Sequence, residues 1–221
     1  MKLLTEALIK FTCGLLLVGL LIFLPAGTLG YTNGWLLVGL LFVPMLLVGF
    51  VMLAKSPDFL KKRLDGKEKQ GTQKGVVALS GLMFIAGFAV AGLDFRFGWS
   101  AMPDWMVITG SVLFLAAYGL YAEVMRENAY LSRTVKVEAG QTVVDTGLYG
   151  IVRHPMYAAT VLLFLMIPLV LASWYALIVF AFYPAIIVVR LKDEEALLTR
   201  ELPGYAEYKQ KVKYRIIPFV W

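Results

Sequence analysis

Five apolar stretches of 18 residues or more contain no lysine, arginine, aspartate or glutamate, the first two parted by the uncharged Gly-Tyr-Thr-Asn-Gly of 30–34. A helix rising 1.5 Å per residue needs about 20 apolar residues to cross the roughly 30 Å hydrocarbon layer of a bilayer. The runs 11–29, 35–54, 75–93 and 105–122 hold 19, 20, 19 and 18 residues, each the length of one crossing. The fifth, 156–189, holds 34, too many for one ordinary span. Pro168 and the Ala172-Ser173-Trp174 stretch lie near its middle and predict two short helices joined by a tight turn. The expected fold is an all-α integral membrane protein of six transmembrane helices, the last two a helical hairpin. At 60% hydrophobic and 16% charged residues, the composition excludes a water-soluble surface. Lys2 and Lys10 precede the first run as in a secretory signal, but its length and the five spans behind it predict an uncleaved helix.

Charge placement orients these spans. With the amino terminus in the cytoplasm, the inner segments are 1–10, 55–74, 123–155 and 190–221. They carry 2, 7, 4 and 7 Lys+Arg, which is 20 of the 21, and only Arg96 falls outside. Basic residues of short loops stay on the cytoplasmic side, so both termini are expected there. One long tilted helix over 156–189 would move the basic tail outside and break the pattern. Trp35, Trp99, Trp105 and Trp174, with Tyr31 and Tyr175, gather at the outer boundary as an aromatic belt would. A net charge of +6 suits an anionic membrane surface or nucleic acid. Its position along these loops selects membrane lipids and no nucleic acid, and the cell membrane is the expected location. Lys61-Lys62-Arg63 reads as a headgroup contact.

Few residues can carry chemistry. A single cysteine, Cys13, excludes an internal disulfide and any multi-cysteine metal site, and a single histidine, His154, excludes His-rich metal constellations. No metal is expected. The chain divides by character into a four-span membrane region, 1–122, and a region 123–221 that holds almost every reactive polar residue. Two cytoplasmic stretches bracket the hairpin. The first, 128–157, is punctuated by Gly140, Gly147 and Gly150, with Val135 and Val137 alternating as a short extended segment might. It ends on Arg153, which alone reads as a headgroup anchor, then His154, and Pro155 at a helix mouth. The second opens on Arg190-Leu-Lys-Asp-Glu-Glu195. Arg190 and Glu194 are four apart and share a helix face, whereas Glu195 points about 100° away. Pro184 frees a backbone carbonyl one and a half turns before Arg190, where a kink could open a cavity. Tyr205 and Tyr208 follow on an interfacial helix, where packing is the default reading.

The ordered combination is a familiar one. Residues 147–157 read Gly-Leu-Tyr-Gly-Ile-Val-Arg-His-Pro-Met-Tyr. An apolar hairpin, Arg190 with Glu194-Glu195, Tyr205-Ala-Glu-Tyr208 and a terminal Arg215 and Pro218 follow. This resembles the isoprenylcysteine carboxyl methyltransferase family, and the membrane phospholipid methyltransferases have a similar Arg-His-Pro-x-Tyr and Glu-Glu pair. The resemblance covers roughly 128–218. It implies methyl transfer from S-adenosylmethionine, with the cofactor held by the backbone around Val144 and by Tyr149, His154, Pro155, Tyr157 and Glu194. By the same resemblance Arg190 would position the methyl acceptor, with Glu195 as a second catalytic residue. The chemistry is compatible, because a cationic cofactor with an adenosine calls for a carboxylate, a polar ring and aromatic surfaces. No Gly-rich strand-turn-helix is present, which excludes a Rossmann-type site.

Transfer to a carboxylate is an in-line displacement that needs alignment and water exclusion more than acid–base help. An amine or thiol acceptor would need a base, and none is evident. The acceptor implied is lipid-like or amphipathic. Two alternatives stay open: an NADPH-dependent membrane reductase of the sterol-reductase type, which calls for extra basic residues around a 2′-phosphate and a longer chain, and a non-enzymatic transporter or assembly factor. The spans are nearly free of charge, so no polar pathway crosses the bilayer, which weighs against the last. The 20-to-1 basic asymmetry makes a direct prediction: a reporter fused after Trp221 is active only if it functions in the cytoplasm. Activity confined to the opposite face would refute the orientation.

Overall fold

The computed structural model describes residues 2–64, 71–132 and 134–221. The described residues form helices α1 (Lys2–Ala26), α2 (Thr32–Lys55), α3 (Pro57–Leu64), α4 (Gly71–Phe97) and α5 (Asp104–Glu127), then a 3-10 turn (Gly147–Gly150). They continue with α6 (Pro155–Val170), α7 (Trp174–Phe180), α8 (Tyr183–Glu201) and α9 (Tyr205–Lys211). No strand forms among them, and the stretch around Val135 and Val137 is irregular chain. Residues 65–70 of the basic loop 55–74 lie outside the described residues.

Among the described residues, five helical segments are long and apolar enough to cross a membrane: α1, α2, Gln73–Phe97 of α4, α5, and the joined α7–α8 segment Trp174–Glu201. With 16 residues, α6 is shorter. The chain is therefore an integral membrane protein. Side chains such as Leu16, Leu20 and Leu24 of α1, Leu47 of α2 and Ile108 of α5 face outward, as a lipid-contacting surface requires.

The 34-residue run divides where its sequence suggested. Ala172 takes a left-handed conformation (φ 53°), and the Ser173 hydroxyl accepts from the Ala176 N–H at 3.0 Å, capping α7. Between α7 and α8 the ladder lapses at Ala181 and Phe182, because Pro184 has no N–H to give the preceding turn. The α5–α6 pair packs closely at Gly110, where a Cβ would lie 2.7 Å from the Cβ of Leu169.

The Tyr118 hydroxyl donates to the Leu41 carbonyl at 2.7 Å and ties α5 to α2, and two further groups of cross-links sort to the two ends of the bundle. At one end lie the short turns. Asp94, 2% exposed, accepts from the Ser100 N–H at 2.8 Å, from the Ser100 hydroxyl and from the Ser173 hydroxyl at 2.5 Å. The Tyr31 hydroxyl donates to the Leu171 carbonyl, and the Asn33 amide donates to the Val170 carbonyl at 3.0 Å. Tyr31 departs from the expected aromatic belt: it is buried and stacked on Phe95 at 4.2 Å, while the tryptophans of that group stay exposed.

The basic segments meet at the other end. Lys10 donates to the Leu64 carbonyl at 2.8 Å, Lys62 pairs with Glu138 at 2.6 Å, and Gln73 donates to Asp193 at 2.5 Å. Lys62 and Arg63, expected at lipid headgroups, turn toward protein instead, since Arg63 donates to the Tyr121 hydroxyl and lies over that ring.

The turn end rests on Asp94. Asp94→Ala strands the buried Ser173 hydroxyl and two part-buried Ser100 donors and is expected to cost about 3 kcal/mol. Thermal unfolding of the detergent-solubilised protein checks it, and an unchanged midpoint would refute the role.

Candidate active site

The site is built on a loop that α5 releases at Asn128 and α6 recovers at Pro155. The 3-10 turn halfway along needs glycine at its start. Gly147 has φ +51°, and a Cβ there would sit 1.5 Å from a Glu127 carboxylate oxygen. That carboxylate accepts from the Leu148 N–H at 3.0 Å and caps the turn. The Asn128 amide donates to the Tyr149 hydroxyl at 2.9 Å, and the Tyr208 hydroxyl donates to the Tyr149 carbonyl at 2.7 Å. The carboxy-terminal tail then lies along the loop's exit. The N–H groups of Arg153 and His154 donate to the carbonyls of Tyr214 and Arg215 at 2.9 and 2.8 Å. Pro155, the first residue of α6, is fully buried and fixes the chain direction there.

Three consecutive carboxylates on α8 fan out by about 100° each. Each finds a different partner. Asp193 accepts from Gln73 of α4. Glu194 accepts from the Tyr157 hydroxyl, which in turn accepts from Arg190 Nε at 3.0 Å. The phenol thus bridges the two groups that the i,i+4 spacing placed on one face. Glu195, 4% exposed, takes Arg153 Nε at 2.6 Å and Arg215 Nε at 3.0 Å, with His154 Nε2 at 3.3 Å. Arg153 Nη1 also donates to the carbonyls of Val212 and Lys213, both at 2.8 Å. Arg153 is therefore no headgroup anchor. It is 6% exposed and welds loop, α8 and tail into one unit.

A cleft opens between this loop, α6, α8 and α9. Of the residues singled out from sequence, Val144, Tyr149, His154, Tyr157, Arg190 and Glu194 line it. Pro155 and Glu195 do not: both are buried behind its wall, Glu195 wholly engaged with cations. The cleft also takes in Asn128, Tyr130, Gln141 and Tyr205, which sequence reasoning passed over or read as packing. Only the Tyr205/Tyr208 spacing carried a hint of them. The Tyr205 hydroxyl lies 3.5 Å from His154 Nε2, and His154 stacks on Tyr157 at 5.6 Å between centroids.

Burial pushes the Tyr149 phenol up to about 12, against the pull of its Asn128 hydrogen bond. Burial, followed by the charges of Glu195 and Glu194, raises Tyr205 as well. Both therefore present neutral hydroxyls at any physiological pH. The cleft offers a carboxylate, a guanidinium, an imidazole and several neutral phenols at one end of a membrane-spanning bundle.

Residues 106–200 match the model of the Isoprenylcysteine carboxyl methyltransferase (ICMT) family, whose members are membrane methyltransferases. The match starts inside α5 and runs through α8, so it takes in the loop, the hairpin and the Arg190–Glu195 stretch. The mouse Delta(14)-sterol reductase TM7SF2 is 30% identical over 91 residues, 40% of this chain and 22% of its own length. The chain thus spans about a fifth of the length of this curated relative.

The cation cluster sets a further expectation. Glu195→Ala leaves Arg153 buried without its counter-charge, a cost of about 3–5 kcal/mol. It is expected to lower the melting midpoint and to open Lys209, Lys211 and Lys213 to limited trypsin digestion. Glu194→Gln, whose carboxylate holds no buried cation cluster, is expected to do neither. Equal resistance of the Glu195→Ala variant to heat and trypsin would refute the clamp.

Proposed function

We propose that this protein transfers a methyl group from S-adenosylmethionine to a lipid-like or amphipathic acceptor at the cytoplasmic face of the cell membrane. One observation carries the reading: Tyr157 joins Glu194 and Arg190 inside the cleft, so the candidate cofactor-binding carboxylate and the candidate acceptor-positioning guanidinium sit side by side. In this reading the chain crosses six times, α6 being a short sixth span, and both termini and the basic end are cytoplasmic. Residues 1–122 form the four-span membrane region and 123–221 the methyltransferase-like region.

The lining fits the cofactor's chemistry. The cofactor supplies an electrophilic methyl group on a sulfonium cation. Glu194 and the faces of Tyr149 and Tyr205 suit a cation, His154 and the backbone at Val144 suit polar edges, and Pro155 fixes the loop that presents them. Tyr157 donates to Glu194 while accepting from Arg190, which holds both side chains in fixed rotamers. Arg190, with its planar fork, would align a carboxylate acceptor; an ionised carboxylate gives up no proton, so no base is required. Glu195 is carried here as the residue that keeps the site assembled.

The identity to the mouse sterol reductase favours one second reading, a reductase that binds NADPH in the same cleft. Binding to purified protein separates the two. Titration with S-adenosylmethionine and with NADPH is expected to give saturable binding of the first alone. Glu194→Gln is expected to weaken that binding tenfold or more, about 1.4 kcal/mol. Arg190→Lys keeps the charge but loses the fork, so it is expected to bind cofactor normally while methyl transfer falls at least tenfold. NADPH binding without S-adenosylmethionine binding would favour the reductase. Normal turnover by Arg190→Lys would make that residue a membrane anchor.

A further inference from the structure

The helices before α5 lie outside the family match, yet one of their side chains reaches the helix that bears Arg190 and Glu194. Gln73 stands in the first turn of α4 and is fully buried. Its Nε2 donates to Asp193 Oδ2 at 2.5 Å and lies 3.3 Å from the main-chain carbonyl of Arg190. These two acceptors fix the orientation of the amide, because turning it over would set Oε1 against both. Oε1 is itself buried and has no hydrogen-bond partner among the described residues.

A buried carbonyl without a partner works against folding, and an apolar side chain of the same length would avoid it. What glutamine supplies at this position is a donor toward α8. The Arg190 carbonyl is also the group that, in a regular helix, accepts from the N–H four residues on, that of Glu194. Gln73 therefore grips the turn that carries both cleft residues. Asp193 is held from α4 and Glu195 from the tail, and Glu194 is presented to Tyr157 between those two anchors.

We propose that Gln73 is a positioning residue: its amide sets the rotation of the 190–194 turn of α8, and so ties the amino-terminal spans to the alignment of Arg190 and Glu194. The inference rests on the methyl-transfer reading above for its consequence, and on local geometry alone for its mechanics.

Three variants of the full chain test it: Gln73→Met, which keeps length and loses the donor; Gln73→Glu, which turns the donor into a second carboxylate facing Asp193; and Gln73→Lys, which restores a donor. Each is measured for S-adenosylmethionine affinity, for methyl transfer from labelled cofactor into a membrane lipid extract, for melting midpoint, and for hydrogen–deuterium exchange of peptides covering 190–198. Gln73→Met and Gln73→Glu are expected to transfer at least tenfold more slowly at saturating cofactor, with a loss of cofactor affinity smaller than that of Glu194→Gln, because Tyr157 still holds the Glu194 carboxylate. Their 190–198 amides are expected to exchange at least fivefold faster. Gln73→Met is expected to melt no lower than wild type, and Gln73→Lys to recover transfer and slow exchange to within threefold.

Unchanged exchange over 190–198 in Gln73→Met overturns the proposal, whatever the lipid extract shows. So does a fall in transfer matched by a lower melting midpoint and not rescued by lysine, which would mark a purely structural residue. Wild-type protein that fails to bind S-adenosylmethionine, with exchange altered as expected, sinks the methyl-transfer reading and leaves Gln73 gripping α8 for another reaction.

Discussion

The carboxylate of Glu195 is the interaction on which the cleft-bearing end of this molecule depends. It draws Arg153 from the loop before α6 and Arg215 from the tail onto one point of α8, with His154 alongside. A buried ion pair of this kind stabilises little by itself, since desolvation offsets much of the attraction. Its effect is to penalise every arrangement that separates the partners. Once Arg153 is fixed, its guanidinium also satisfies two tail carbonyls, and the backbone of Arg153 and His154 pairs with the tail at Tyr214 and Arg215. The cleft exists because loop, helix and tail cannot part without stranding charge.

The geometry of a helix then gives neighbouring acids different tasks. A 100° step between successive residues means that Asp193, Glu194 and Glu195 cannot serve one ligand together. One faces α4, one faces the cleft and one faces the cation cluster. At the opposite end of the bundle Asp94 acts as Glu195 does, on a smaller scale, collecting hydroxyl and amide donors from two turns. Each end of the bundle is thus closed by one buried carboxylate, and the long apolar helices between them contribute span and close packing.

This division accounts for how a chain so poor in polar residues can still form a specific site. In a bilayer the apolar faces of helices gain little by leaving lipid for one another, so helix register has to come from close contacts and polar ties. Gly110 allows α5 and α6 to approach, and Gly147 lets the Glu127 carboxylate cap the turn that carries Tyr149. The match to the methyltransferase family covers the elements that these ties assemble, from α5 to α8.

Much of this was legible in the sequence. Uncharged runs marked the apolar helices, because burial in hydrocarbon forbids charge over a fixed length. The break at Ala172–Ser173 and the sharing of one face by Arg190 and Glu194 followed from helix geometry, and the motif from Gly147 to Tyr157 pointed to the cleft. These are local properties, set by spacing along the chain. What the sequence could not reveal is which distant groups would meet. Arg153 looked like a lipid anchor, Glu195 like a catalytic partner of Glu194, Tyr31 like part of an outer belt and Lys62 like a headgroup contact. Each was reassigned by a partner far away in the chain: Arg153 and Glu195 by one another, Tyr31 by Leu171, Lys62 by Glu138. Spacing determines which face a side chain occupies, whereas only the tertiary structure decides what stands opposite it, and for a buried charge that neighbour decides the role.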